Sequence, residues 1–258
     1  MKIGVSTACL YPMETEKSLM RLSEYGIKNV EIFFNADCEL KGSIFAQINK
    51  IVNESGISVL SVHPYTSAVE TMSLFGDYPR RYMEMMDTYK LYFEIMNKLG
   101  AKIFVLHGAL KSAAVKEELY FERYSALYEL GERYGVIVAQ ENVSYCKGGS
   151  RRFLAEMKKS LGEKCGFVLD VKQALRSGSD PFELIDLLGK SIKHCHISDN
   201  TEETDCVPVG RGRFDFPMFS QKLKKLAYDG DIVLELYRNG FDRLDELKDS
   251  VEYMESFF

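Results

Sequence analysis

The sequence predicts a closed (β/α)8 barrel of the α/β class, and three observations predict it. Its 258 residues match the roughly 250 typical of one eight-unit barrel. Eight short β-rich runs recur along the whole length, and longer amphipathic stretches separate them. Such regular alternation argues a parallel sheet with crossover helices. Eight strands also suit closure better than an open doubly wound sheet.

The strand runs are Ile3–Thr7, Asn29–Phe34, Ser58–Pro64, Ile103–Gly108, Val136–Val143, Gly166–Val171, Ile192–Ser198 and Asp231–Tyr237. Helical patterns between them include Arg81–Leu99, Glu117–Tyr134, Phe153–Leu161 and Phe182–Leu188. Gly26, Gly56, Gly100, Gly135 and Gly189 each follow a helical stretch, where a left-handed C-terminal residue is wanted. The next strand begins a few residues later each time, a usual loop length. No Pro/Ser-rich linker, low-complexity tract or charge block intervenes, so residues 1–258 read as one domain.

Composition removes several classes of function. A net charge of −5 disfavours nucleic acid and anionic membranes, which call for a basic face. Cys9, Cys38, Cys146, Cys165, Cys195 and Cys206 are scattered without a C-x-x-C pair. They read as free thiols in a reducing compartment rather than a disulfide framework or zinc ribbon. The N-terminus enters a strand with no apolar leader, and no stretch approaches the ~18 apolar residues of a membrane span. The expected location is the cytoplasm. The turn after the first strand, Ala8-Cys9-Leu10-Tyr11-Pro12, has no G-x-G-x-x-G, and no phosphate-binding G-x-x-x-x-G-K-[ST] occurs.

The ionisable residues carry the functional signal. All four histidines, His63, His107, His194 and His196, fall in strand runs. Glu141, Asp170 and Glu235 sit near the ends of the fifth, sixth and eighth runs. Six consecutive strands thus place a His, Asp or Glu near the C-terminal end, where such barrels keep their active sites. Side chains alternate along a strand: Ile103, Val105 and His107 should point inward, and Phe104 and Leu106 toward the helices. The same parity puts Glu141, Asp170, His196 and Glu235 on the inner face.

Taken singly, each of these residues has a ready structural explanation as a hydrogen-bonded core histidine or an ion-pair partner. Their coincidence in register is what points to a site. Three converging carboxylates repel one another, and a divalent cation resolves the repulsion. Mixed carboxylate and imidazole donors suit Mn²⁺, Co²⁺, Fe²⁺ or Zn²⁺ better than Ca²⁺. His194 reads as a core histidine one layer below His196. Cys195 should face the helices, and Met83, Met85, Met86 and Met96 read as core filler.

At these residues the chain resembles the xylose-isomerase-like TIM-barrel superfamily of sugar and sugar-phosphate isomerases and epimerases, which includes endonuclease-IV-type repair enzymes. The resemblance runs through Gln140-Glu141-Asn142, Leu169-Asp170-Val171-Lys172-Gln173, His196-Ile197-Ser198-Asp199, Gly210-Arg211-Gly212-Arg213-Phe214-Asp215 and Leu234-Glu235-Leu236-Tyr237. It implies one divalent metal (Mn²⁺, Co²⁺ or Zn²⁺) held by Glu141, Asp170, His196 and Glu235. It also implies that Glu141 and Glu235 trade a proton with the substrate. His63, His107, Gln173, Asp205 and Arg211 are its candidate substrate contacts.

In the repair enzymes the positions of His63 and His107, with Glu141, hold a second metal. Their third zinc needs histidines that this chain lacks, at Gln173 and in Thr204-Asp205-Cys206-Val207-Pro208. The loops Cys9–Glu16 and Asn35–Glu39 contain no Lys or Arg, and Asn200–Asp205 is acidic. A DNA backbone would require the opposite.

The expected function is therefore a metal-dependent sugar or sugar-phosphate isomerase or epimerase working through an enediolate on a small-molecule sugar. A zinc phosphodiester hydrolase, a cyclitol dehydratase and a non-catalytic sugar-binding barrel are the alternatives. Barrels of this superfamily often form homo-oligomers, and one chain leaves the oligomeric state open.

Overall fold

A computed structural model describes residues 1–67 and 69–258. Its strands are β1 Ile3–Ser6, β2 Asn29–Phe33, β3 Ser58–His63, β4 Ile103–Leu106, β5 Ile137–Glu141, β6 Gly166–Asp170, β7 Ile192–Ile197 and β8 Asp231–Leu234. Its α-helices are α1 Thr15–Glu24, α2 Gly42–Ser55, α3 Ser67–Glu70, α4 Pro79–Leu99, α5 Glu117–Arg133, α6 Arg151–Leu161, α7 Val171–Arg176, α8 Pro181–Leu188, α9 Phe216–Lys225 and α10 Asp245–Glu255. The strands pair in sequence order, all parallel, and β8 closes on β1. The chain is a (β/α)8 barrel.

Each expected strand is present, but all eight stop short of the expected C-terminal end. His107 and Glu235 lie just beyond β4 and β8. Gly108 follows His107 at φ 82°, a conformation that favours glycine. A Cβ at Gly108 would also lie 1.9 Å from the Tyr120 hydroxyl oxygen.

The helix ends follow local chemistry. Pro79 and Pro181 occupy the first turns of α4 and α8, where a missing N–H costs nothing. Gly56 and Gly100 cap α2 and α4 in the left-handed conformation. The helices lay apolar faces on the barrel, so Phe104, Leu106, Leu169 and Cys195 join one large outer core. Met85 and Met96 belong to that core. Met83 does not: it is 63% exposed on α4, because it falls on the outer face of the helix.

Inside the barrel Ile103, Val105, Ala139 and Val168 form a small separate apolar cluster. The alternation expected for the fourth strand therefore holds. Two irregularities in register, at Val30/Glu31 between β2 and β3 and at Phe167/Val168 between β6 and β7, reset the pairing below the mouth. The second brings Asp170 beside His196. Bulges of this kind re-aim side chains near sites. Among the described residues no helix is long and apolar enough to cross a membrane.

Candidate active site

The mouth is built strand by strand. Glu141 ends β5 with its side chain inward, and its two neighbours fasten the strand ends around it. Gln140 donates from Nε2 to the carbonyls of Leu106, His107 and Glu141 at 3.2, 2.9 and 2.9 Å. Tyr120 Oη donates to Gln140 Oε1 at 2.6 Å. Asn142 locks onto β6, accepting from Asp170 N at 2.7 Å and donating to Asp170 O at 2.9 Å. The Gln-Glu-Asn triplet thus points one carboxylate into the barrel and spends both flanking amides on holding β4, β5 and β6 together.

Asp170 ends β6 and caps α7, accepting from Gln173 N at 2.7 Å through Oδ1. Its other oxygen, Oδ2, is buried without a hydrogen-bond partner, while Glu141 Oε2 faces His107 Nε2 at 3.0 Å. One oxygen from each of Glu141, Asp170 and Glu235 and one ring nitrogen of His196 lie within 4.8 Å of one another. A buried acceptor left unpaired is costly, and a carboxylate cluster with open lone pairs is the donor set of a divalent cation. The residues present fit such an ion.

The electrostatics agree. Burial pushes Asp170 up to about 7, with Lys172 opposing and Glu141 and Glu235 reinforcing the rise. Burial would also raise Glu141, but the nearby His107, His196 and His63 rings hold it well below the usual carboxylate value. Burial alone would keep His196 neutral, and the Glu31 and Glu235 carboxylates reverse this.

His63 and His107 converge on the same glutamate. Their Nε2 atoms are 2.7 Å apart, and they lie 3.8 and 3.0 Å from Glu141 Oε2. His63 Nδ1 donates to the Pro64 carbonyl at 3.1 Å, which turns Nε2 toward His107. Phe33 stacks on the His63 ring at 4.4 Å. His63, His107 and Glu141 form a second group able to hold a metal.

A cavity of about 320 Å³ opens over these side chains, with Phe33, His63, His107, Glu141, Gln173 and Glu235 in its wall. Tyr11, Tyr145 and Tyr237 add aromatic surface. Larger concavities lie on the outside of the barrel, at α8–α9 and beside α6, away from the converging carboxylates. Gln173 accepts from Ser144 N through Oε1 at 3.1 Å, so its amide N–H groups remain for a ligand.

Two expected contacts lie elsewhere. Asp205 is spent on Arg176, whose Nη2 donates to its Oδ1 at 3.0 Å, and Arg176 in turn donates to Tyr237 Oη at 2.7 Å. It braces the rim. Arg211 is 57% exposed and stands 3.7 Å from Glu246, outside the cavity wall. The Gly-rich loop around it is closed on itself. Asp199 accepts from the amides of Asn200 and Phe214 through Oδ1, and from those of Gly210 and Gly212 through Oδ2, all at 2.8–3.0 Å. A carboxylate of the chain itself fills the nest that an anion would need.

Three residues escaped the sequence reading. Glu31 on β2 is fully buried and faces His196 Nε2 at 3.0 Å. It also accepts from Ser6 Oγ at 3.0 Å and Ser61 Oγ at 2.7 Å. His194 completes this lower layer at 3.1 Å from Ser61 and is the hydrogen-bonded core histidine that was expected. A lone carboxylate inside the apolar run Val30-Glu31-Ile32 was the available signal for Glu31.

Lys172 is 2% exposed, and its Nζ sits 3.1 Å from Glu235 Oε2 and 3.9 Å from Asp170 Oδ2. The chain thus supplies one cation of its own beside the carboxylates. Glu70, the last residue of α3, accepts from Gly108 N at 2.6 Å. Nothing local in the sequence marks either residue.

The comparisons with known proteins agree with this architecture. An uncharacterised protein of Methanocaldococcus jannaschii is 26% identical over 270 residues, covering 99% of this chain and 90% of that protein. D-psicose 3-epimerase from Clostridium cellulolyticum H10, solved with D-tagatose, superposes with a TM-score of 0.80 at 15% identity, over 100% of this chain and 99% of that one. The IOLI protein, solved with a zinc atom, gives a TM-score of 0.75 at 18% identity, over 100% and 96%. At such identities the solved structures speak for the fold. A family model described as xylose isomerase-like TIM barrel matches residues 19–257, and the chain belongs to that family.

Proposed function

We propose that the chain is a divalent-metal-dependent isomerase or epimerase of a sugar or sugar derivative, with Glu141 and Glu235 as its acid and base. The observation that carries this reading is the convergence of Glu141, Asp170, His196 and Glu235 within 4.8 Å, with the buried Asp170 Oδ2 left unpaired. Both proton-transfer candidates also face one cavity. Mn²⁺, Co²⁺ or Zn²⁺ held there would polarise a substrate carbonyl and offset the charge of an enediolate.

The remaining work falls to the chain. One glutamate takes the proton next to the carbonyl and the other returns one, on the opposite face or at the adjacent carbon. The free Gln173 N–H groups suit the oxygens of sugar hydroxyl groups. Phe33 and the tyrosines offer faces to ring C–H groups. The aromatic wall and 320 Å³ volume suit one small sugar rather than a polymer.

The test is deuterium uptake from solvent at the carbon beside the carbonyl, over a panel of aldoses, ketoses and cyclitol ketones, with the metal content of the protein measured beforehand. Uptake with about one metal per chain is the expected result. No uptake anywhere on the panel by metal-loaded protein overturns the reading. A product that absorbs as an enone identifies a dehydratase, which shares the first proton removal.

A second reading, a two-metal phosphodiester hydrolase, has one specific support: the His63–His107–Glu141 group. Against it stands the cavity wall, where Lys172 is the single Lys or Arg, whereas phosphate backbones are held by many. Two zinc ions per chain together with cleavage of an abasic-site duplex would establish it.

A further inference from the structure

Lys172 has no role in the proton transfer described above, yet it occupies the most demanding position in the barrel mouth. It lies two residues past Asp170, in the first turn of α7, and is almost fully buried. Its ammonium stands 3.1 Å from Glu235 Oε2, 3.5 Å from the Glu235 carbonyl oxygen and 3.9 Å from Asp170 Oδ2. The Tyr237 ring lies 4.7 Å from the same nitrogen. Tyr237, Glu235 and Lys172 all border the cavity.

Burying an ammonium is costly unless it is well paired. An apolar side chain of similar length would fill the space at no such cost, so simple packing does not account for a lysine here. Flanked by two carboxylates, the nitrogen is a charged donor and a poor nucleophile, which argues against a covalent imine role. An ammonium carries three N–H groups. The partners within hydrogen-bond distance both belong to Glu235, and the Asp170 oxygen is farther off. One N–H is left for whatever enters the cavity beside Glu235.

We propose that Lys172 is a catalytic residue: its ammonium donates a hydrogen bond to the substrate oxygen that becomes negative when the neighbouring carbon loses its proton. This rests on the isomerase or epimerase reading given above. In that step the C–H electron pair moves into the new C=C bond, and the carbonyl π pair moves onto oxygen. The proton goes to the glutamate, and Lys172 keeps its own. A fixed cation aimed at the charge that develops lowers the barrier more than it tightens ground-state binding. Lys172 would therefore act on kcat more than on KM.

The experiment compares metal-loaded wild type, Lys172→Met and Lys172→Arg in two assays. Deuterium exchange on the best substrate gives kcat and KM. Calorimetry gives affinities for a planar hydroxamate, which mimics the enediolate oxygens, and for a neutral pentitol. The expected result for Lys172→Met is a kcat loss on the order of 10²–10³-fold, the size seen when one oxyanion donor is removed, with KM little changed. Hydroxamate affinity should fall by tenfold or more while pentitol affinity and metal content hold, and Lys172→Arg should recover part of the loss.

Unchanged hydroxamate affinity in Lys172→Met overturns the proposal. So does equal loss of hydroxamate, pentitol and metal, which would make Lys172 a structural counter-ion. If wild type exchanges no sugar proton at all, the isomerase reading falls, and the hydroxamate-to-pentitol ratio still decides for or against Lys172. Should Lys172→Met not fold, Lys172→Gln carries the same comparison, since it donates without charge.

Discussion

Glu31 Oε2 lies 3.0 Å from Nε2 of His196, on the side of the ring away from Glu141, whose Oε1 is 3.4 Å from Nδ1. This pair sets which ring nitrogen is offered to the mouth. A carboxylate that accepts a hydrogen bond from Nε2–H leaves Nδ1 as the donor atom for a metal, the usual carboxylate–histidine–metal arrangement. Burial would raise Glu31, but His196, then His63 and His194, hold it well below the ordinary carboxylate value, so it is a fixed negative charge beneath the site.

Glu31→Gln should therefore weaken metal binding by about 10–100-fold, the usual effect of losing such a partner, with circular dichroism unchanged. Competition with a fluorescent chelator measures it. An affinity equal to wild type would mean that the His196 tautomer is set by something else.

Glu141→Gln and Glu235→Gln should each lower solvent-proton exchange at the substrate carbon by about 10²–10⁴-fold. Each amide keeps the size of the side chain but loses its basicity. Exchange that survives in both variants removes these two residues from the acid–base role.

The closed Gly210–Gly212 loop bears on substrate charge. Its Gly210 and Gly212 amides are engaged by Asp199 and its Arg211 amide by the Pro208 carbonyl, and the cavity wall holds one Lys or Arg, itself paired to Glu235. A phosphorylated sugar should be turned over no better than its free counterpart, and inorganic phosphate should not compete. Paired kcat/KM values measure this. A tenfold preference for the phosphate ester would show that an anion subsite exists outside the cavity wall.

Glu70 predicts a pH dependence of stability. Burial pushes its carboxyl from the ordinary 4.5 up to about 7, although His107, Gly108 N–H and Tyr89 oppose the rise. A folded-state value above the unfolded one means the folded protein binds this proton more tightly. Its contribution is thus fully present below about pH 4.5 and is lost as pH rises through about 7. Glu70→Gln should gain stability relative to wild type between pH 5 and 8, by up to about 3 kcal/mol for a shift of this size. Urea unfolding at both ends of that range tests it, and a difference that does not vary with pH contradicts it.

Gly108→Ala should destabilise the fold by about 1–3 kcal/mol. It forces a side chain into a left-handed backbone conformation at φ 82° and against the Tyr120 hydroxyl. Tyr120→Phe in the same chain should return part of the loss in a urea midpoint. A neutral Gly108→Ala would mean that the turn relaxes freely.

Much of this was legible along the chain. Alternating periodicity and the glycines behind each helical stretch determined an eight-unit α/β barrel, because those signals are local and repeat. The parity of side chains in a strand determined that Glu141, Asp170, His196 and Glu235 would share the inner face. The same period-two test, applied to Val30-Glu31-Ile32, would have found Glu31.

Tertiary structure decided what depends on register and on contacts between distant segments. The bulge at Phe167/Val168 put Asp170 level with His196, and no local pattern announces a one-residue shift. Lys172 was unreadable because its meaning comes from Glu235, 63 residues away. Asp205 and Arg211 were expected at the substrate and are instead spent at the rim, on Arg176 and facing Glu246. The physical reason is the same in each case. Periodicity fixes which way a strand residue points, but a loop or first-turn side chain goes wherever an opposite charge or an open amide is nearest in space.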